Sequence, residues 1–273
     1  MPELAEVETV ARGLKALRGR RLVGVFVHDG RDCLLTPGRL AWLCGRRLAA
    51  VERWGKWLGL RLADGHRQPL WLLLHLGMTG RLLRASAGAP LPPHTHLRFA
   101  LDTGEELRYS DPRRFGAVQV LAGDELRQWL ARLGPDALAI SWTAFRARLQ
   151  RRARIKALLL DQRVLAGLGN IYADESLWRA GIHPARPACS LSAAERMRLW
   201  RSMRVVLRQA IRYRGTSVAD YVDLDGRRGA FQKHLHVYGR AGQPCRRCRT
   251  PLVRILLAGR GTVLCPRCQP EGG

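Results

Sequence analysis

The sequence predicts an α+β protein built from more than one domain, and three observations carry this. An amphipathic helical pattern occupies the N-terminus. Short Val-, Leu- and Trp-rich runs punctuated by glycine turns follow as far as residue 122. Helical patterning then takes over until four cysteines close the chain. At 273 residues the length suits two domains with a small appendage.

Residues 3 to 18 place Leu4, Val7, Val10, Leu14 and Leu17 at helical spacing, with Glu3, Glu6 and Glu8 early and Arg12, Lys15 and Arg18 late. That charge order suits the helix dipole. From about 21 to 122 the runs RLVGVFV, WLGLRLA, LWLLLHLG, LRFALD, LRYSD and GAVQVLA read as antiparallel strands of a sandwich or barrel, so 1–132 forms the first domain. LGPDALAI, 133–140, reads as a linker. The second domain, 141–234, is mainly α: IKALLLDQ, the glycine turn LAGLGN, the helix IYADESLW with Asn170 as its N-cap, and a long helix opened by Ser192 and Glu195 as a capping box. Its last part, 215–234, has little periodicity and reads as a mobile loop.

The final segment, 235–273, holds Cys245, Cys248, Cys265 and Cys268 as C-x2-C-x16-C-x2-C. Two tight turns at that spacing present four thiolates to one tetrahedral zinc, which predicts a hairpin zinc finger with its tip near Gly259 to Gly261. Arg260 at such a tip is held rigid by the metal, whose role is structural.

Lys+Arg number 47 against Asp+Glu 22, a formal charge of +25, and Lys15, Lys56, Lys156 and Lys233 are the only lysines. An excess this large attracts polyanions and makes nucleic-acid binding tight and salt-sensitive. With 47% hydrophobic residues the chain can bury a core, which excludes general disorder. No run approaches a membrane span, and the acidic start MPELAEVETV is unlike a secretory signal, so a cytoplasmic location is expected.

Pro2 carries the first chemical signal. Removal of Met1 leaves a secondary amine at a helix start, and with an α-amino pKa near 8 roughly one molecule in ten is unprotonated at neutral pH. Such an amine is a nucleophile, and Glu3 and Glu6 lie beside it to move protons. Taken singly, Pro2 reads by default as a plain helix start.

Pro2 and Glu3 in MPELAEVE, Lys56 in RWGKWL, HLGMTGRL at 75–82, DPRRFG at 111–116, GLGNIYADESL at 167–177 and GRGT with the four cysteines occur in one order. Together they resemble the bacterial formamidopyrimidine-DNA glycosylases, from residue 2 to residue 268. The resemblance implies a β-sandwich domain, a helix-two-turn-helix domain, a zinc finger, and a monomer acting on the nucleoid. It implies a base-excision repair enzyme that flips an oxidised purine out of duplex DNA, attacks the sugar with Pro2 and cuts the strand by β,δ-elimination. No redox cofactor is implied.

By the same resemblance Glu3 donates a proton to the sugar, Lys56 serves β-elimination and Arg260 δ-elimination. Met78, Arg113 and Phe115 fill the gap left by the base, and in an extended loop 113 and 115 point one way while Arg114 faces phosphate. His75, His94, Arg151, Asn170 and Tyr238 are further DNA contacts. Glu6 and Lys156 belong to lesion recognition, near the loop 215–234. Ala5 stands where the family usually has a second proline. Two other readings stay open: a sister enzyme like endonuclease VIII, acting on oxidised pyrimidines, and a non-catalytic zinc-containing DNA-binding protein.

Overall fold

The computed structural model describes residues 1–28, 33–65, 67–218 and 220–271. These divide into two compact units, Met1–Arg132 with Tyr213–Ala230, and Leu133–Arg212 with Phe231–Gly273.

The first unit begins with helix α1 (Leu4–Leu14), continued by a 3-10 turn to Leu17. Among the described residues, eight strands follow: β1 (Leu22–Val27), β2 (Arg47–Trp54), β3 (Trp57–Ala63), β4 (Leu70–His75), β5 (Arg81–Ser86), β6 (Thr95–Leu101), β7 (Glu105–Ser110) and β8 (Ala117–Ala122). They form two antiparallel four-stranded sheets, ordered β2-β3-β4-β8 and β1-β6-β7-β5. Alternate residues of both sheets, Leu58, Leu60 and Leu62 from one and Leu97, Phe99 and Leu101 from the other, share one core with Val7, Val10 and Leu14 of α1. The unit is therefore the expected sandwich with a leading helix. Strands β2 and β5 escape the sequence pattern, because RLAAVERW and RLLRAS carry arginines among their apolar residues and lack a clean alternation. On its outer face the first sheet is covered by α2 (Gly123–Leu130), which with Trp54, Trp57, Trp71 and Trp129 encloses Leu73 and Leu121.

Residues 213–230 are not a mobile appendage of the helical domain. They belong to the first unit, with Tyr221 and Leu224 in its core and the Arg84 amide donating to the Leu224 carbonyl at 2.8 Å. Ion pairs Arg84–Asp225 at 2.9 Å and Arg81–Asp220 at 3.5 Å tie the same segment to β5. Two buried side chains in an otherwise polar stretch give too short a pattern to read as packing.

The second unit contains α3 (Trp142–Arg148), α4 (Ile155–Leu160), α5 (Asn170–Ala180), α6 (Ala193–Arg212) and the hairpin β9 (Val253–Leu257) and β10 (Arg260–Leu264). Residues 133–140 are docked on it rather than linking freely, with Ala137 and Ile140 buried and the Gly134 amide donating to the Gln162 carbonyl. The capping box of α6 is present: Ser192 Oγ accepts from the Glu195 amide at 3.2 Å and Glu195 Oε2 from the Ser192 amide at 2.7 Å. Apart from Asn170 and Arg179, every residue of α5 is buried, Asp174 and Glu175 among them. The zinc segment lies within this compact unit.

Candidate nucleic-acid interface and active site

Pro2 is buried and precedes the N-cap of α1, one position outside the helix rather than in its first turn. Glu3, only 2% exposed, is the N-cap, and its amide donates to Glu6 Oε2 at 2.8 Å. The other oxygen of Glu6 accepts from the Thr216 amide at 2.7 Å. Glu6 therefore holds the start of α1 to the segment that follows α6. Gly215 has a left-handed φ of 83°, and a side chain there would lie 2.7 Å from the Glu6 carboxylate, so only glycine lets the two approach. Ala5 sits buried in the first turn, where the helix forms without a second proline.

Lys56 is not within a strand. It lies with Gly55 in the turn joining β2 to β3, yet is only 7% exposed. Glu8 of α1 accepts from Arg53 of β2 at 2.8 Å, which fixes the helix on this hairpin, and the paired guanidinium groups of Arg53 and Arg12 outweigh burial to hold the Glu8 carboxyl below its ordinary range.

His75 ends β4 against Trp57, ring centroids 4.9 Å apart, and its Nδ1 accepts from the Gly77 amide at 3.1 Å. Burial first, then the nearby Lys56 charge, pushes its pKa down to about 4, so at neutral pH the ring is neutral. The unfolded histidine, at about 6.5, binds protons that the native one refuses, so acid favours the unfolded chain. Stability from this site is intact above about pH 6.5 and is lost as pH falls toward 4, by up to about 3 kcal/mol. Urea midpoints at pH 7.5 and 5.0 for the wild type and His75→Gln check this: the wild type should lose more on acidification than the variant.

Met78, Arg113 and Phe115 are all exposed, on the loops after β4 and β7. The Arg113 guanidinium lies over the Phe115 ring, 4.7 Å from its centroid. The two share a side as expected, but the loop is not extended, since Arg114 has a left-handed φ of 54°. His94, exposed before β6, is also left-handed at 60°.

In the second unit the N-cap of α5 is Gly169, and Asn170 is the first helical residue. Its side-chain amide does not cap but donates to the Gly261 carbonyl of the hairpin at 2.8 Å, leaving Oδ1 buried without a hydrogen-bond partner among the described residues. Lys156 is 1% exposed and its ammonium is committed internally, to Asp174 Oδ1 at 2.6 Å and Thr262 Oγ1 at 2.7 Å. Burial pushes the Asp174 carboxyl up to about 6 against the pull of that ammonium, while its Oδ2 accepts from the Val263 amide at 3.1 Å. Lys156 thus clamps α4 and α5 to β10. Glu175 is not legible in the sequence because its partners are backbone groups: it accepts from the amides of His236, Val237 and Tyr238 at 2.8 to 3.0 Å. That carboxylate fixes the backbone carrying Tyr238. Arg151 is exposed ahead of α4, and Arg260 is exposed at the start of β10, next to the left-handed turn residues Ala258 and Gly259.

The four cysteine Sγ atoms lie within 4.8 Å of one another, Cys248 to Cys265 at 3.4 Å and Cys245 to Cys268 at 4.0 Å. A tetrahedral zinc with Zn–S near 2.3 Å needs sulfurs about 3.8 Å apart, so this donor set fits one ion with no position open for a substrate. Trp178 packs behind it, stacked on His236 at 4.3 Å.

Family models for the formamidopyrimidine-DNA glycosylase N-terminal domain, its H2TH domain, and a zinc finger found in FPG and IleRS match residues 1–118, 133–222 and 242–270. The formamidopyrimidine-DNA glycosylase of Herpetosiphon aurantiacus is 45% identical, over 98% of this chain and 100% of that one, and the one from Geobacillus kaustophilus matches to the same degree. The MutM (FPG) protein of Thermus thermophilus superposes with a TM-score of 0.87 at 41% identity, each chain fully covered. A Lactococcus lactis FPG mutant in complex with Fapy-dG containing DNA gives 0.91 at 34% identity, over 99% of this chain and 100% of that one. The matches run the length of the chain and include the loops and the four-cysteine hairpin described above, so this protein belongs to the formamidopyrimidine-DNA glycosylase family.

Proposed function

We propose that this enzyme, a DNA glycosylase and AP lyase that removes oxidised purines from duplex DNA in base-excision repair, works through the amine of Pro2. The observation that carries the reading is the start of α1, where Pro2, Glu3 and Glu6 are buried together. Freed by loss of Met1, the Pro2 nitrogen attacks the sugar C1′ and displaces the base, while Glu3 protonates the ring oxygen as the sugar opens. The resulting iminium makes the C2′ proton acidic. Its removal breaks the 3′ phosphodiester bond by β-elimination, assisted by Lys56, and δ-elimination assisted by Arg260 breaks the 5′ bond. Hydrolysis of the imine returns the free amine.

Phe115 and Met78 fill the stack vacated by the flipped base, and Arg113 reads the orphaned cytosine. Arg114, Arg151, His94, Tyr238 and the neutral His75 N–H take phosphates, and Asn170 does so from the end of α5. Glu6 and Lys156 serve the lesion site indirectly, by fixing Thr216 and the hairpin. The zinc, held by Cys245, Cys248, Cys265 and Cys268, supplies rigidity and no chemistry. The enzyme works as a monomer in the cytoplasm.

Borohydride trapping with mass spectrometry tests this on duplexes bearing 8-oxoguanine opposite cytosine, thymine glycol opposite adenine, or no lesion. The adduct should map to Pro2 and form fastest on 8-oxoguanine. Fastest trapping on thymine glycol, or an adduct at another residue, overturns the assignment.

A further inference from the structure

Asp111 opens the DPRRFG loop but points away from any surface, with 0% of its area exposed. A buried carboxylate must be satisfied, and the partners that satisfy this one are informative. Its Oδ1 accepts from Thr79 Oγ1 at 2.5 Å and from the Arg113 amide at 3.3 Å. Its Oδ2 accepts from the Gly116 amide at 2.8 Å and from the Tyr109 hydroxyl at 3.4 Å. Its main chain is used as fully: the amide donates to the His94 carbonyl at 3.1 Å, and the carbonyl accepts from the Arg114 amide at 3.2 Å and lies 2.8 Å from His96 Nε2.

The neighbours of these partners are the residues that face DNA in the proposed mechanism. Thr79 adjoins Met78, the amides of Arg113 and Gly116 bracket Phe115, and His94 is bonded directly. A second observation joins the same loops independently. Gly77 is left-handed at 57°, and a side chain there would lie 2.5 Å from the Gly116 nitrogen and the Phe115 carbonyl carbon, so the loop after β4 lies with its backbone against the loop after β7.

We infer that Asp111 is a positioning residue for base flipping: its buried carboxylate sets the wedge and the orphan-base reader, and its main-chain amide the His94 loop, in a single fixed relation. Its acceptor bonds to both loops place three side chains to within the tolerance that insertion between bases requires. This rests on the reading that Arg113 and Phe115 enter the duplex, and it adds what holds them there. Asp111 itself touches no substrate.

The consequence is a defect confined to steps that need the duplex opened. Asp111→Asn places an N–H donor against either the Gly116 N–H or the donors on the Oδ1 side, so one loop must shift. Excision of 8-oxoguanine opposite cytosine under single-turnover conditions should slow, and its preference over the same lesion opposite adenine should shrink by about tenfold. Cleavage at a preformed abasic site in single-stranded DNA, which needs Pro2 but no wedge, should keep its rate. Thr79→Val should act in the same direction and Thr79→Ser should restore the wild-type ratio.

Arg113→Ala separates the positioning role from the reading on which it rests. If it leaves the cytosine-over-adenine ratio unchanged, the reading of Arg113 fails, and this inference falls with it. If it collapses the ratio while Asp111→Asn and Thr79→Val do not, the positioning role alone is refuted. An equal loss on single-stranded abasic DNA would mark a general structural defect and also refute it. Should Asp111→Asn melt before assay, the contrast between Thr79→Val and Thr79→Ser decides the matter.

Discussion

Protein that keeps Met1, expressed with methionine aminopeptidase inhibited and verified by intact mass, forms no borohydride-trapped adduct and does not cut 8-oxoguanine duplex. With Met1 attached, the Pro2 nitrogen is a tertiary amide whose lone pair is delocalised into the carbonyl and which has no proton to lose. It can form no iminium. Loss of the nucleophile lowers strand cleavage by on the order of 10³-fold or more. The fold accommodates the extra residue, since Met1 is 45% exposed ahead of the buried Pro2, so the loss is chemical and not structural. Duplex binding, measured by fluorescence anisotropy, should persist, because it draws on arginines spread through the chain. Cleavage at the rate of the processed protein would remove Pro2 from the mechanism.

Stripping the zinc should have the next largest effect. The hairpin β9–β10 is a two-stranded ribbon, and such a ribbon is marginal alone. Structural zinc contributes about 10–16 kcal/mol in finger peptides, which is folding energy for the elements it gathers. Here those elements include the Gly261 carbonyl that receives Asn170, and Thr262 and Val263, which engage Lys156 and Asp174. Without them an ion pair buried in the unit loses its lid and Arg260 loses its fixed place. Cys248→Ser or prolonged chelation should lower the melting temperature and reduce duplex cleavage by at least about a hundredfold. Metal content near one zinc per chain should track activity through removal and readdition. A zinc-free chain with undiminished cleavage would contradict a structural role.

What can be read from the sequence is whatever depends on spacing. The cysteine pattern, the capping box of Ser192 and Glu195, the helical stripe of α1 and the hairpin tip at Gly259 are all legible, because local geometry dictates them. What escapes depends on partners distant in the chain. Asp111, Asp174 and Glu175 look like ordinary surface acids in one dimension; their importance lies in backbone amides up to 89 residues away. Asn170 reads as a cap because Gly-Asn before a helix favours one, yet the hairpin recruits its amide. Lys156 reads as available for a ligand, and the interior of its own unit takes it. Lys56 stands between two apolar runs that one period cannot distinguish from a single strand. Of the candidate site, the identities are readable and the surrounding layer that orients them is not.

The first unit is discontinuous, and this shapes how the chain can be made. Tyr221 and Leu224 pack in a core whose other buried members are all contributed before residue 121. A ribosome therefore releases the sandwich unfinished, and the 80 residues Leu133–Arg212 of another unit must emerge before its last pieces arrive, a high-contact-order closure that slows folding. A fragment ending at Arg132 would leave α1 without the residues that Glu6 and the core of the sandwich engage. The surroundings of the helix that follows Pro2 are thus completed late, so under the proposed mechanism a nascent or truncated chain carries an N-terminal amine before it has the surroundings to use it.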